Sequence, residues 1–162
     1  MIKKILVPYD KSKYSENALN YAINLSKNMK EKQEISLLHV VKSNSDTSMP
    51  SFFSRKITSP KTGDVVSLEQ YLKDVSIDVK NDAKKILDDK IKKISSDEFS
   101  INSVVFFGDP AEEILKFTKL NVVDLIVMGN VGFKGLSKIR TIGSVSRKVL
   151  ENSKCPVLIV HL

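Results

Sequence analysis

Five short apolar runs divide the chain, and between them apolar residues recur every three to four positions. The runs are Ile2–Pro8 (IKKILVP), Glu34–Val41 (EISLLHVV), Ser100–Phe107, Val122–Met128 and Pro156–Leu162 (PVLIVHL), each of strand length. Val122–Met128 is almost continuously apolar, which suits a parallel strand buried on both faces. In the first intervening stretch Tyr14, Ala18, Tyr21, Ala22, Leu25 and Met29 mark one face of a helix, with Ser12 or Ser15 placed to cap it. A longer helix carries Leu68, Leu72, Val75, Val79, Ala83, Ile86, Leu87, Ile91 and Ile94. Asp109, Pro110 and Glu112 supply an N-cap, a first-turn proline and a capping-box acid for a third helix through Leu120. A fourth helix spans about 143–152.

Strands alternating with helices predict one α/β domain over residues 1–162: an open five-stranded parallel sheet, Rossmann-like, with helices on both faces. The segment from Lys42 to about Asp64 breaks the pattern. Rich in Ser and Thr, with two prolines and only Phe52-Phe53 as an apolar anchor, it predicts a long mobile insertion.

The stretch Met128–Val145 (MGNVGFKGLSKIRTIGSV) carries the clearest chemistry. Gly129 and Gly132 follow the most apolar strand, where a residue without Cβ lets a ligand approach the backbone. Gly143 and Ser144 then open the last helix, and free N–H groups at a helix start, aided by the helix dipole, attract phosphate. Open α/β sheets bind ligands beyond the C-terminal strand ends at the switch point. Three such ends would meet there: Pro8–Asp10, the region of Val40, and Gly129–Gly132. Lys134, Lys138 and Arg140 add positive charge nearby.

Composition narrows the function classes. A net charge of +7 would suit an acidic partner, but the lysines alternate with acids, as in KNDAKKILDDKIKK (80–93). No stretch interleaves aromatic and basic residues as a nucleic-acid platform would. No apolar run approaches the roughly 18 residues of a membrane span, the first residues form a strand pattern rather than a leader, and Cys155 is the single cysteine. These point to the cytoplasm. The chain lacks a Walker-type run, a nucleophile elbow and a clustered His, Cys or carboxylate set. His39 and His161 fall in strand patterns, Cys155 reads as a small core residue and Asp124 as the start of the fourth strand. Any hydrolytic activity should therefore be slow.

Through KKILVPYDKS, ISLLHVV, GDPAEEIL, VDLIVMGNVG and GSVSRKVLENSKCPVLIV, the chain resembles the universal stress protein family over essentially its whole length. The resemblance implies an adenine nucleotide alpha hydrolase-like fold with strand order 3-2-1-4-5 and ATP as ligand, with Mg²⁺ as a candidate companion. It implies that Pro8, Tyr9 and Asp10 border the nucleotide, Asp10 near the ribose or a phosphate-bound metal, and that Val40 offers backbone hydrogen bonds to adenine. Met128, Gly129 and Gly132, with Asn130 among them, would line ribose and phosphates. Gly143, Ser144 and Val145 would hold phosphate oxygens. It also implies a homodimer joined through Pro156–Leu162, whose apolar edge would otherwise be exposed. Two departures stand out. Ten residues, Phe133–Ile142, separate Gly132 from Gly143 where the family has nine, so the loop must absorb one as a bulge. Lys11 stands where the family often has glycine. The expected function is a nucleotide-dependent regulatory module of the stress response. Alternatives are an ATP-independent dimeric scaffold of the same fold and, more weakly, a slow ATPase.

Overall fold

The computed structural model describes residues 1–42, 55–131 and 142–161. Along the chain these form β1 (Lys4–Pro8), α1 (Lys13–Lys27), β2 (Gln33–Val41), β3 (Lys56–Thr58) and β4 (Val65–Ser67). They continue with α2 (Leu68–Ile94), β5 (Phe99–Phe107), α3 (Pro110–Asn121), β6 (Leu125–Gly129), α4 (Ser144–Asn152) and β7 (Val157–Val160). Five strands make a parallel sheet in the order β5-β2-β1-β6-β7. Taken alone in chain order, those five strands run 3-2-1-4-5.

The two extra strands account for the shift in labels. Part of the segment expected to be an insertion, with the residues just after it, folds as an antiparallel hairpin of β3 and β4, with Ile57 opposite Val66. Its alternation covers three residues per strand, too few to stand out from a Ser- and Thr-rich background. Phe52 and Phe53 lie outside the described residues.

The period-two alternation of strand side chains builds two cores. Ile5, Val7, Ile35, Leu37, Leu125 and Val127 pack with Ala18, Leu19 and Ala22 of α1 and Ala83 and Leu87 of α2. On the opposite face Leu6, Leu38, Ile126 and Met128 meet Ala111, Ile114 and Phe117 of α3 and Val149 of α4. β6 is buried at every residue, as its continuous apolar run requires. β1 and β6 lie near the centre of the sheet, with helices packed on both faces.

Three local readings are revised. The inward residues of α1 are Ser15, Ala18, Leu19, Ala22 and Ser26, whereas Tyr21, expected inside, is 47% exposed. Small side chains face the sheet because the helix lies very close to it. A Cβ built on Gly129 would stand 2.7 Å from the Tyr14 Cβ and 2.8 Å from its carbonyl carbon. The glycine is therefore required by packing, and its φ is not positive. Second, only Ala83 and Leu87 of α2 are fully buried, while Leu72, Val75, Val79 and Ile86 are exposed. A 27-residue helix is about 40 Å long, and the nine-residue β5 spans about 30 Å, so the helix overruns the sheet.

Third, Val122 does not begin β6. It ends α3 in the left-handed region at φ 48°, and Asp124 follows as a clamp. Its Oδ2 accepts from the amides of Lys3 (2.8 Å) and Lys4 (2.9 Å), and its own amide donates to the Lys4 carbonyl. The Lys4 and Lys3 amides hold its carboxyl below the usual carboxylate range. The capping at the helix starts follows expectation at Ser12, whose hydroxyl accepts from the Ser15 amide, and at Asp109, which accepts from the Glu112 amide. The Glu112 carboxylate itself turns to Lys148 of α4 at 3.1 Å.

Lys11, in the β1–α1 turn, has φ 67°, a region where a side chain costs about 1–2 kcal/mol. Two substitutions therefore have opposite expected outcomes in thermal melts. Gly129→Ala, forcing backbone apart in a packed interior, should destabilise by about 1–3 kcal/mol. Lys11→Gly should leave the melting temperature unchanged or raise it by the equivalent of up to about 1 kcal/mol, strain relief being partly offset by a freer unfolded chain. A marked drop for Lys11→Gly would contradict this account of the turn.

Candidate functional site

A cleft opens at the C-terminal ends of the central strands. It encloses about 580 Å³, its open mouth included. Pro8, Tyr9 and Asp10 line it from the end of β1, Leu38 and Val40 from β2, and Met128, Gly129 and Val131 from β6 and beyond. Three helices add their first turns: Ser15 of α1, Pro110 and Ile114 of α3, Val145 and Ser146 of α4. The cleft is thus a mainly apolar slot with polar groups at a few points. That composition fits a flat heterocycle better than a purely ionic ligand.

The three helix starts are not equivalent. α1 is capped by the Ser12 hydroxyl and α3 by the Asp109 carboxylate, which satisfy part of each first turn. α4 starts from Gly143, and among the described residues no side chain caps it. The first amide to find its acceptor in the helix ladder is that of Arg147, which donates to the Gly143 carbonyl at 2.9 Å. The amides of Ser144, Val145 and Ser146 therefore precede the ladder with the positive end of the helix dipole behind them. Of these three starts, α4 is the one whose first-turn amides no described side chain caps.

Backbone bonds hold α4 in place. Asn130 donates its amide to Val160 (3.0 Å) and accepts from Gly143 (2.7 Å), so β6, β7 and the start of α4 are tied at one residue. The Asn130 side chain is buried, and its Oδ1 has no partner among the described residues. Ser146 locks the first turn from inside, its hydroxyl donating to the Gly129 carbonyl at 2.9 Å. Gly143 also sits tightly: a Cβ there would be 3.3 Å from Val131 Cα.

The opposite wall is organised by β1 and β2. The Tyr9 amide donates to Leu38 at 2.8 Å, the last link of that ladder. The Tyr9 carbonyl bonds instead to His39 Nδ1 at 2.7 Å, so His39 is a structural tie between strand ends. Alternate residues of an inner strand address alternate neighbours. Val40, two residues past Leu38, therefore presents its N–H and C=O to the side that β1 has left. Asp10 is exposed. Its carboxylate accepts from the Ser12 amide at 3.1 Å, and its amide donates to Ser15 Oγ at 3.3 Å.

The residues expected at the site separate into three groups. Pro8, Tyr9, Asp10, Val40, Met128, Gly129 and Val145 line the cleft. Asn130, Gly143 and Ser144 stand behind or at its rim and shape the α4 start. Gly132 lies outside the described residues, as do Lys134, Lys138 and Arg140. Sequence reasoning missed Ser15, Leu38, Pro110, Ile114, Val131 and Ser146. Ser15 and Ser146 carried a signal: each falls three positions after a cap residue, on the inward side of a first turn. Among the described residues no three His, Cys, Asp or Glu side chains cluster to hold a metal ion, and no helix is long and apolar enough to cross a membrane.

Comparison with known proteins places this architecture. The model of the universal stress protein family matches residues 1–161. Universal stress protein YxiE of Bacillus subtilis is 36% identical over 161 residues, covering 99% of this chain and all of that protein. The solved structure of MJ0577, a universal stress protein of Methanocaldococcus jannaschii, superposes with a TM-score of 0.78 at 28% identity, covering 100% of this chain and 97% of that one. A universal stress protein family member from Arabidopsis thaliana, At3g01520, solved with AMP bound, shares the fold at a TM-score of 0.57 and 18% identity, covering 98% and 91% of the two chains. Fold, strand order and full-length match agree: the chain belongs to the universal stress protein family.

Proposed function

We propose that the cleft binds an adenine nucleotide, ATP foremost, and that the protein acts as a cytoplasmic, single-domain regulatory module of the stress response whose state depends on that ligand. The observation that carries this is the start of α4, uncapped by any described side chain and set at the mouth of an apolar slot. Adenine would lie between Pro8, Leu38, Val40 and Ile114, with its edge read by the Val40 backbone. The ribose would lie near Asp10 and Gly129. The phosphates would accept from the amides of Ser144, Val145 and Ser146, with Gly132 and the Ser144 hydroxyl completing the cradle. The AMP bound to the Arabidopsis protein of the same fold supports this choice of ligand. Asp10 is the candidate contact to a phosphate-bound Mg²⁺. Among the described lining residues it is the one carboxylate, no histidine accompanies it, and its Oδ1 already accepts from Ser12. That supports a binding role with hydrolysis slow at most.

A homodimer through β7 belongs to the same proposal. β7 is a sheet edge of four apolar residues paired on one side to β6, and an uncovered apolar edge invites a second copy. Sedimentation at tens of micromolar should give twice the 18.2 kDa chain mass. A monomeric mass there would contradict pairing through this edge.

Titration calorimetry tests the ligand. Ser144 is the first residue of α4 and follows Gly143, whose backbone is extended at ψ 161°. Proline is favoured at that position and compatible with that neighbour, so Ser144→Pro should fold normally while deleting one phosphate-facing amide. It should lose about tenfold in ATP affinity, the worth of a charge-assisted hydrogen bond, and keep its affinity for adenosine, with Ser144→Ala separating out the hydroxyl. Wild-type protein that does not bind ATP at millimolar concentration would refute the proposal.

A further inference from the structure

The turn Pro8–Asp10 forms one wall of the cleft, yet what holds its central side chain lies on the other face of the sheet. The Tyr9 ring is buried among the residues under α1 and α2. Its hydroxyl donates to Glu16 Oε2 of α1 at 2.7 Å. The second oxygen of that carboxylate accepts from Lys90 Nζ of α2, also at 2.7 Å. The Lys90 ammonium stands 5.7 Å from the Tyr9 ring centroid, close enough for a cation–π attraction. Three elements are thus closed into one polar triangle, partly shielded from water.

Each member favours one charge state in the others. Burial, followed by the bond to Glu16 and the charges of Glu16 and Asp10, pushes the Tyr9 phenol well above the ordinary phenol range. Burial alone would raise Glu16, but the bonds from Lys90 and Tyr9 and the Lys90 charge outweigh it and hold the carboxyl below its ordinary value. A neutral phenol donating to an ionised carboxylate, itself anchored by an ammonium, is the stronger kind of hydrogen bond. Tyr9 also has its amide and carbonyl fixed by Leu38 and His39. The side-chain bond joins the Asp10 amide's bond to Ser15 Oγ in tying this turn to α1, and through Lys90 it reaches α2.

We propose that Glu16 is a positioning residue of the cleft: anchored on Lys90, it holds Tyr9 and thereby sets the Pro8–Asp10 wall against which the base and ribose lie. The inference rests on the adenine-nucleotide reading of the cleft. Binding sites need their walls held to fractions of an ångström by such supporting contacts, and this one reaches through the sheet from α2.

Calorimetry with adenosine and with ATP on Tyr9→Phe, Glu16→Ala, the double variant and Lys90→Met tests it. Tyr9→Phe keeps the buried ring and removes one hydroxyl, so it provides the measurement should Glu16→Ala fail to fold. Each single variant should bind about fivefold more weakly, the worth of one hydrogen bond. The factor should be the same for adenosine and ATP, because the wall contacts base and ribose rather than phosphate. The double variant should be no weaker than the worse single one, both changes cutting one link. Variants that melt earlier but bind adenosine as the wild type does would overturn the positioning role, as would losses confined to ATP or losses that multiply in the double variant. A wild type that binds neither ligand would overturn the nucleotide reading and this inference with it.

Discussion

The cleft depends on how closely α1 lies on the end of β6. Gly129 meets Tyr14 at a separation that no Cβ could occupy, and the small inward residues of α1 follow from the same closeness. With the helix seated there, the β1–α1 turn must reverse direction within a few residues of Pro8, which drives Lys11 into the left-handed region. The turn carries the Tyr9 backbone away from β2, and Val40 is left with unmatched main-chain groups facing a slot. A helix a little farther from the sheet would close the slot with side chains and allow β1 to run on beside β2. The glycine that looked like a pocket floor is, first, the condition for close packing, and the pocket is its result.

Electrostatics then assigns direction within the slot. Three helices point their positive ends toward it, but Ser12 and Asp109 occupy the first turns of two. An anion entering the cleft meets least competition at α4, whose start is tethered by the Gly143 amide to Asn130 and by the Ser146 hydroxyl to Gly129. A slot apolar at one end and bounded at the other by amides that no described side chain caps suits a molecule that is flat and uncharged at one end and anionic at the other. Helix dipoles act within a turn or so of the helix end, so the arrangement discriminates by position and not by overall charge. The net charge of +7 would assist the approach of such a ligand without choosing its pose.

Much of the fold was legible because parallel strands buried on both faces leave an unmistakable apolar run, as within Val122–Met128, and because the helix cap at Asp109 carries its own signature. The strand boundaries near Val122 and the inward face of α1 were not. Apolarity marks what is buried but not how close the helix must come, so Tyr21 looked a better core residue than Ser15. The hairpin of β3 and β4 was hidden by the shortness of its strands, and the overrun of α2 by an apolar stripe that continues past the sheet. For the site, glycines and a Gly-Ser pair marked the strand ends and helix start, since backbone-built sites need residues that stay out of the way. Of the other members that line the cleft, Ser15 and Ser146 are marked only by their spacing from a cap residue, and Leu38, Ile114 and Val131 carry no distinctive motif. Their role comes from tertiary convergence alone. The Tyr9–Glu16–Lys90 triangle was equally invisible, since Lys90 lies far along the chain from the other two and all three are individually ordinary.

The most direct test of this account follows backbone amides by nitrogen–proton NMR during titration with ATP and, separately, with adenosine. The Val40 amide should shift with both ligands, and the amides of Ser144, Val145 and Ser146 should shift strongly with ATP and little with adenosine. ATP that perturbs residues elsewhere while leaving the first turn of α4 unchanged would contradict the claim that this helix start is the anion site.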